Sequence, residues 1–335
     1  MLLQAPVDRT SGRSAQRVPR SETKPLKTIS VMTACFNEVE NVREVYGRVR
    51  DVFAKLEGYR YEHLFIDNAS TDGTVGVLRE IAAADRNVKI IVNRRNFGHI
   101  RSPYHGLLEA RGDAVIALAA DLQDPPELIP QFLEKWEKGS KIVLGVKQSS
   151  EESRVLFAFR SLYYRLLDEL SEVKIVQHAT GFGLYDREFI EVMRKLDDPY
   201  PYARGLMAEM GFECERIPFD QPARKRGITK NNFLTLYDLA MVGITSHSRV
   251  PLRLATFCGF LLSALSLFVA FGYLVYKLVF WNSFPVGIAP LVIGLFFAMS
   301  VQLFFLGLLG EYVLVMNVRL MRRPLVVERE RINFD

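Results

Sequence analysis

From about Leu252 to Val318 nearly every residue is apolar, whereas the chain up to about Arg249 mixes charged and apolar side chains as a globular protein does. The apolar part divides in two. Leu254–Phe280 carries one charge, Lys277, near its end, and Val286–Leu309 carries none; only Trp281-Asn282-Ser283-Phe284-Pro285 separates them. A bilayer core needs about 20 apolar residues per helix, so each run is long enough to cross it. The expectation is a two-helix transmembrane hairpin within 251–318. Arg249 and Arg253 precede the first span, and Arg319, Arg322 and Arg323 follow the second, while the connecting turn has only Lys277 beside it. Positive-inside logic then puts both termini and the whole globular part in the cytoplasm, as a multi-pass protein of the inner (plasma) membrane.

The whole-chain average of 24% charged residues hides this division. The net charge of +5 is mild, with several of the cations in an N-terminal tail and beside the apolar segment. That placement favours anionic lipid or phosphate partners over nucleic acid, for which no zinc-knuckle, helix-turn-helix or RNP signature is present. Cys35, Cys214 and Cys258 form no CxxC pair, which fits a reducing cytosol. Residues 1–27 are rich in Ser, Arg, Pro and Thr without a sustained apolar run, and read as a disordered basic tail rather than a signal peptide.

Between these ends the pattern alternates. Short β-branched apolar runs at Thr28–Ala34, Tyr61–Ile66, Val88–Val92, Ala114–Ala120 and Lys141–Val146 read as strands. Helical spacing lies between them: Val39 to about Leu56, Thr74–Ala84, Pro103–Ala110, and a helix opened by Pro125-Pro126. Such alternation gives βαβ units and a mostly parallel sheet, and ligands bind such sheets beyond the carboxyl ends of the strands. Cys35-Phe36-Asn37-Glu38, Asp67-Asn68-Ala69-Ser70-Thr71-Asp72 and Asp121-Leu122-Gln123-Asp124 all fall there, which points to one site. Further on come a long helix at Arg154–Leu170, a Gly-rich turn at Thr180–Gly183, a helix near Phe189–Leu196, a basic loop at Ala223–Lys230 and an amphipathic segment, about Phe233–Ile244, that suits a membrane interface or the face of the globular domain. The division expected is a tail (1–27), a catalytic domain (28–230), an interfacial helix (231–250), the hairpin (251–318) and a cytoplasmic C-terminal tail (319–335).

Taken with CFNE (35–38), DNASTDG (67–73), NFGHIRSPYHGLLEARGD (96–113), ADLQDPPE (120–127), RKRGITK (224–230) and GEY…RRP (310–324), the order of these segments resembles the family 2 glycosyltransferases. The similar branch includes dolichol-phosphate mannose synthases and bacterial bactoprenol-phosphate glucosyltransferases, and the resemblance covers about residues 28–330. It implies a GT-A (Rossmann-like) α/β catalytic domain, a nucleotide-sugar donor, most simply UDP-linked, and an inverting transfer. It implies nucleotide contacts for Asp67, with Asn37 and Glu38 nearby, a role that a carboxylate suits by accepting from base N–H or ribose hydroxyls. Turn chemistry is the competing reading of Asp67, and Asp72 reads as a helix cap.

Asp121 stands where the resemblance implies the second carboxylate of a DxD motif holding Mg²⁺ or Mn²⁺ on the donor diphosphate. The motif is broken, because Ala119 occupies the first position. Gln123 is implied as a further metal ligand, and Asp124 is only a reserve beside a turn role. Arg224, Arg226 and Lys230, around Gly227, resemble a mobile loop that handles phosphate of the donor or of the lipid; a cationic patch against anionic lipid is the alternative. Arg204 is a weaker candidate for the lipid phosphate. Asn231 replaces the Tyr usual after this Lys, and Gly181 stands where the family has an Asp that serves as a candidate base. His178 and Asp186 flank that gap, either as substitutes or as ordinary structural residues.

A phosphate acceptor loses its second proton near pH 6 and needs no base, whereas a sugar hydroxyl does. The missing base therefore fits polyprenyl phosphate as acceptor, with glycan or cell-envelope assembly as the outlet. Catalysis rests on alignment and on neutralising the leaving diphosphate, for which Asp121, Arg224, Arg226 and Lys230 are the candidates. Two other readings are a processive polysaccharide synthase, which normally carries more spans and a Gln-x-x-Arg-Trp motif, and an inactive membrane scaffold that kept the fold. A homo-oligomer is left open.

Overall fold

The computed structural model describes residues 26–147, 179–199, 201, 203–222, 250–280 and 288–334. An eight-stranded sheet organises them, in the order β7-β5-β6-β4-β1-β2-β3-β8. The strands are β1 (Lys27–Cys35), β2 (Tyr59–Asp67), β3 (Val88–Asn93), β4 (Ala114–Ala119), β5 (Ile142–Lys147), β6 (Ala179–Asp186), β7 (Cys214–Phe219) and β8 (Glu328–Ile332). β1 runs parallel to β2 and β4, β2 to β3, and β5 to β7; β6 and β8 are antiparallel to their neighbours. The architecture is thus α/β with a mostly parallel sheet.

Alternation along the strands covers both faces. Ile29, Val31 and Ile116 pack with Val45 and Val49 of α1 (Val42–Phe53) and Phe132 of α4 (Ile129–Glu137). Phe65, Ile90 and Val92, on the same side, pack with Leu78 and Ile81 of α2 (Thr74–Ala84). Their alternates, Met32, Ile66, Ile91 and Val115, face Tyr104 and Leu107 of α3 (Gly98–Glu109) and Phe189 and Met193 of α5 (Arg187–Leu196). Burial on both faces is what makes the strand sequences near-continuous apolar runs rather than half-polar ones. The chain steps from β1 outward to β2 and β3, then returns to lay β4 on the other side of β1. That reversal is the switch point where open α/β sheets leave a crevice.

Several elements differ from the sequence expectation. Thr180–Gly183 is not a turn but part of β6, in the middle of the sheet. Gly183 marks close backbone approach: a Cβ there would lie 2.4 Å from the Val143 carbonyl oxygen. α3 starts at Gly98, not Pro103, and keeps Pro103 inside the helix. The tail expected at 319–335 supplies β8, which pairs Ile90 with Ile332 and Val92 with Glu330. The helix expected at Arg154–Leu170 and the amphipathic segment 233–244 lie outside the described residues.

After the sheet domain come α6 (Ala203–Glu209) and two long helices in contact, α7 (Val250–Val279) and α8 (Ile288–Leu320). Large apolar side chains on both are exposed, among them Phe257, Phe260, Phe268, Phe296 and Phe304. Among the described residues one stretch, Gly294–Leu320 of α8, is long and apolar enough to cross a membrane. α8 continues well past Leu309, where the sequence reading ends its second span, carrying Glu311 and Arg319 in its last turns.

Candidate active site

Register brings the polar strand ends together. Cys35 lies opposite Asp67 across β1 and β2, and Ala34 lies opposite Ala119 across β1 and β4. Asn37, Asp67 and Asp121 are therefore each within two residues of aligned strand ends, around the switch point. Two backbone bonds clamp the corner: Asn68 N–H to the Cys35 carbonyl (2.9 Å) and Ala120 N–H to the Ala34 carbonyl (3.2 Å).

At the β1/β2 end almost every polar atom holds a loop. The Asp67 side chain is wholly buried, and one oxygen accepts the Ser70 N–H at 2.9 Å. Burial pushes its carboxyl above the usual carboxylate range, against the pull of the Ser70 bonds. Asn37 sits at φ 56°, a left-handed conformation that Asn tolerates. Its Oδ1 accepts the Thr71 N–H (2.8 Å), and its own N–H donates to Ser70 Oγ (2.8 Å). Glu38 accepts from Asn41 Nδ2 (2.6 Å) and donates its N–H to Thr74 Oγ1 (3.0 Å). Asp72 takes the N–H groups of Thr74 (3.1 Å) and Val39 (3.2 Å), tying the start of α2 to the loop after β1, while Gly73 rather than Asp72 occupies the N-cap position. The rim facing outward consists of Asn37, Ser70 and Thr71, with Asp67 beneath.

The β4 end is looser. Leu122 is at φ 62° and turns the chain sharply after Asp121. Asp121 is half-buried, and its Oδ1 accepts the Gln123 N–H at 3.2 Å. Asp124 turns inward and accepts the Ala119 N–H at 2.9 Å. Burial, with the Asp121 charge as a smaller cause, pushes Asp124 up to about 7. This fits Asp124 in the turn rather than as an oxygen ligand. Gln123 Nε2 donates to the Pro222 carbonyl (3.4 Å), which sets its amide oxygen apart as an acceptor. One carboxylate and one amide oxygen make a hard-donor set that suits Mg²⁺ or Mn²⁺ when water and a diphosphate complete the shell.

Pro222 also marks where the basic loop begins. That contact ties its entrance to the β4 end, but Arg224, Arg226 and Lys230 lie outside the described residues, as does His178. Arg204 is on α6, with its side chain outside them. Gly181, where the sequence resemblance implies an Asp, has φ 95° and open space beside it, so an acid there would meet room but a strained backbone. Asp186 is committed elsewhere: it accepts from Trp136 Nε1 (2.6 Å) and Lys141 Nζ (3.2 Å) and caps α5 through the Glu188 N–H (2.9 Å).

Two clusters escaped the sequence reading. Asn68 joins β2 to the loop after β3, accepting from Asn93 Nδ2 (3.2 Å) and the Phe97 N–H (2.9 Å) and donating to Asn96 Oδ1 (2.9 Å). Its signal was the Asn-rich composition at both strand ends. His105, Glu109 and Glu328 bring their ligand atoms within 4.8 Å of one another. Arg331 pairs with both carboxylates, so the group reads as an ion-pair network fastening β8 to α3.

The family model described as "Glycosyl transferase family 2" matches residues 30–193. The "Uncharacterized glycosyltransferase YkcC" of Bacillus subtilis (strain 168) is 33% identical over 85% of this chain and 88% of its own length. The "SfII prophage-derived bactoprenol glucosyl transferase" of Shigella flexneri is 34% identical over 88% and 96%. A solved glucosyl-3-phosphoglycerate synthase from Mycobacterium tuberculosis, in complex with Mn²⁺, UDP and phosphoglyceric acid, overlaps 65% of this chain and 76% of its own at 19% identity and a TM-score of 0.45.

Proposed function

The chain belongs to glycosyl transferase family 2, and from that premise we propose that it transfers a sugar from a nucleotide donor to polyprenyl phosphate, with inversion, at the cytoplasmic face of a membrane. The observation that carries this reading is the convergence of Asn37, Asp67 and Asp121 at the switch point, fixed by strand register. The polyprenyl acceptor draws support from the bactoprenol glucosyl transferases that are 34% identical over nearly their whole length, and from the exposed apolar helix at Gly294–Leu320.

In this reading the Asn37–Thr71 rim receives the base and ribose, and Asp67 holds that rim in shape. Asp121 and Gln123 would hold a divalent ion, which supplies positive charge to the donor diphosphate. Arg224, Arg226 and Lys230, on the loop that starts at Pro222, meet phosphate oxygens of donor or acceptor. Arg204 is the further candidate for the lipid phosphate. The acceptor phosphate is already ionised at neutral pH and attacks the anomeric carbon without a base, which fits glycine at 181. α7 and α8 together anchor the enzyme as a hairpin. The unit that works is the 28–230 domain with β8 added from beyond the helices.

The test is a panel of nucleotide sugars offered to the full chain in detergent with a short polyprenyl phosphate. The expected result is one sugar appearing on lipid in step with nucleoside diphosphate release. Donor cleavage without lipid product would move the acceptor to water or a glycan, and no turnover with any donor would favour an inactive scaffold.

A further inference from the structure

A cavity of about 460 Å³ lies where the segment leaving α8 meets the loop after β3. Arg94, Arg95, Arg101 and Arg323 line it around Phe97, with Pro324 and Val327 closing one side, and among the described residues no carboxylate is in the lining. Two bonds hold its walls together: Arg94 N–H to the Val327 carbonyl (2.9 Å), and Arg101 Nη2 to the Pro324 carbonyl. The guanidinium carbon of Arg95 stands 4.2 Å from the Phe97 ring centre and that of Arg101 5.5 Å, so one ring steadies two cations. Arg322, at φ 42°, makes the sharp turn that delivers Arg323.

Other arginines of the domain answer their charge locally. Arg43 pairs with Glu80, Arg48 with Glu127, Arg79 with Glu330 and Arg331 with Glu109. Among the described residues no such ion pair falls to Arg94, Arg95 or Arg323. The like charges of Arg94, Arg95 and Arg323 around one cleft repel one another unless an anion joins them, and guanidinium forks match phosphate oxygens. Position narrows the source. Arg323 lies three residues beyond Leu320, the end of the stretch apolar enough to cross a membrane. A side chain just past such an end sits at headgroup depth.

We propose that this cavity binds the phosphate group of an anionic lipid headgroup and thereby docks the sheet domain on the bilayer surface. It is distinct from the β4 end of the proposed transfer site, since the end of β3 is three strands from the end of β4, about 14 Å at ordinary spacing, while the Phe97 N–H ties its wall to Asn68 beside the β2 end. It rests on the membrane placement of α8 but not on the donor, the sugar or the acceptor.

Native mass spectrometry of the full chain in detergent tests it, with phosphatidylglycerol and phosphatidylcholine of the same acyl chains as probes. The wild type should retain phosphatidylglycerol at least about tenfold better. Removing two charges with Arg95→Gln/Arg323→Gln should lower that retention by roughly tenfold or more, at about fivefold per cation near an anionic surface. Arg43→Gln/Arg50→Gln removes the same charge elsewhere and should change it less than twofold. Should the first pair fail to fold, Arg95→Lys/Arg323→Lys keeps the charge, loses the fork and should give an intermediate loss. Equal retention of the two lipids, or equal loss in both Gln pairs, would overturn the proposal. If instead inorganic phosphate raises the melting temperature of the wild type but not of Arg95→Gln/Arg323→Gln, with no preference between lipids, the phosphate site stands and its ligand is a soluble ester. Since no donor or acceptor is present, failure here leaves the transfer reading untouched.

Discussion

The two halves of the crevice are built on opposite plans. At the β1/β2 end Asp67, Asn37, Glu38 and Asp72 all spend their oxygens on neighbouring loops: Ser70, Thr71, Asn41 and Thr74 are held in place by them. At the β4 end Asp121 accepts a single long bond from Gln123, and the neighbouring Asp124 is folded inward. The first is a mould whose shape is set before a ligand arrives. The second keeps acceptor capacity for whatever charge the ligand brings. On the proposed function, losing a carboxylate at the first end should affect stability and binding together, and losing one at the second end turnover alone.

That contrast breaks most visibly at Asp121. Asp121→Asn should lower kcat by about 10²–10³-fold in saturating Mg²⁺, from a charge–charge interaction of roughly 4 kcal/mol at 4 Å and an effective dielectric near 20. Its melting temperature should stay near the wild-type value. Asp124→Asn should cost far less activity; turnover that proceeds equally well in chelator would remove the metal from the site altogether.

Asp67→Ala should behave the other way. It leaves the Ser70 N–H without its partner in a buried corner, which costs about 1–3 kcal/mol of stability. Calorimetric titration with nucleoside diphosphate should show about tenfold weaker binding as the rim loosens. A variant that melts like the wild type would dissolve the distinction between the two ends.

The rigid end also carries a proton signature. His63 is buried on β2, its Nε2 2.9 Å from Thr33 Oγ1 and its Nδ1 without a partner. Burial lowers its pKa to about 3. The unfolded chain binds a proton near pH 6.5 that the folded chain refuses, so this contribution is complete above pH 6.5 and is lost as pH falls towards 3. The slope approaches 1.4 kcal/mol per pH unit, and denaturant unfolding of His63→Gln between pH 5 and 6.5 should show it flattened.

The smallest effect sharpens the loose end. Ala119→Asp should tighten apparent Mg²⁺ or Mn²⁺ affinity a few-fold, read from the cation dependence of turnover, since Ala119 is half-exposed beside Asp121.

Much of this plan was legible beforehand because strand ends announce themselves locally: an apolar run stops and Asn, Asp or Ser begins. That logic located Asn37, Asp67 and Asp121 and the first five strands. It failed where a tertiary neighbour decides. Gly181 and Gly183 read as a turn, but both lie in β6, paired with β4 and β5, and Gly183 is glycine where the Val143 carbonyl leaves no room for a Cβ. Glu328–Ile332 alternates charges without an apolar face, so nothing marks it as a strand until α2, α3 and β3 supply Arg79, His105 and Ile90. The Arg cavity was hidden for a similar reason, its two halves being more than two hundred positions apart in sequence. Asp67 itself was read correctly as to place, while its burial beneath the rim depends on contacts with Ser70 that spacing does not reveal.

β8 has a consequence for how the molecule is made. It follows both apolar helices in chain order, yet it covers the outer edge of β3. During synthesis the rest of the sheet can assemble while the ribosome is still producing α7 and α8, but that edge stays uncovered until they are complete. An unpaired edge is a template for pairing with other chains. Completion of the two helices and closure of the sheet are therefore ordered events, and a nascent chain stalled between them is the species most exposed to aggregation and to quality-control proteases.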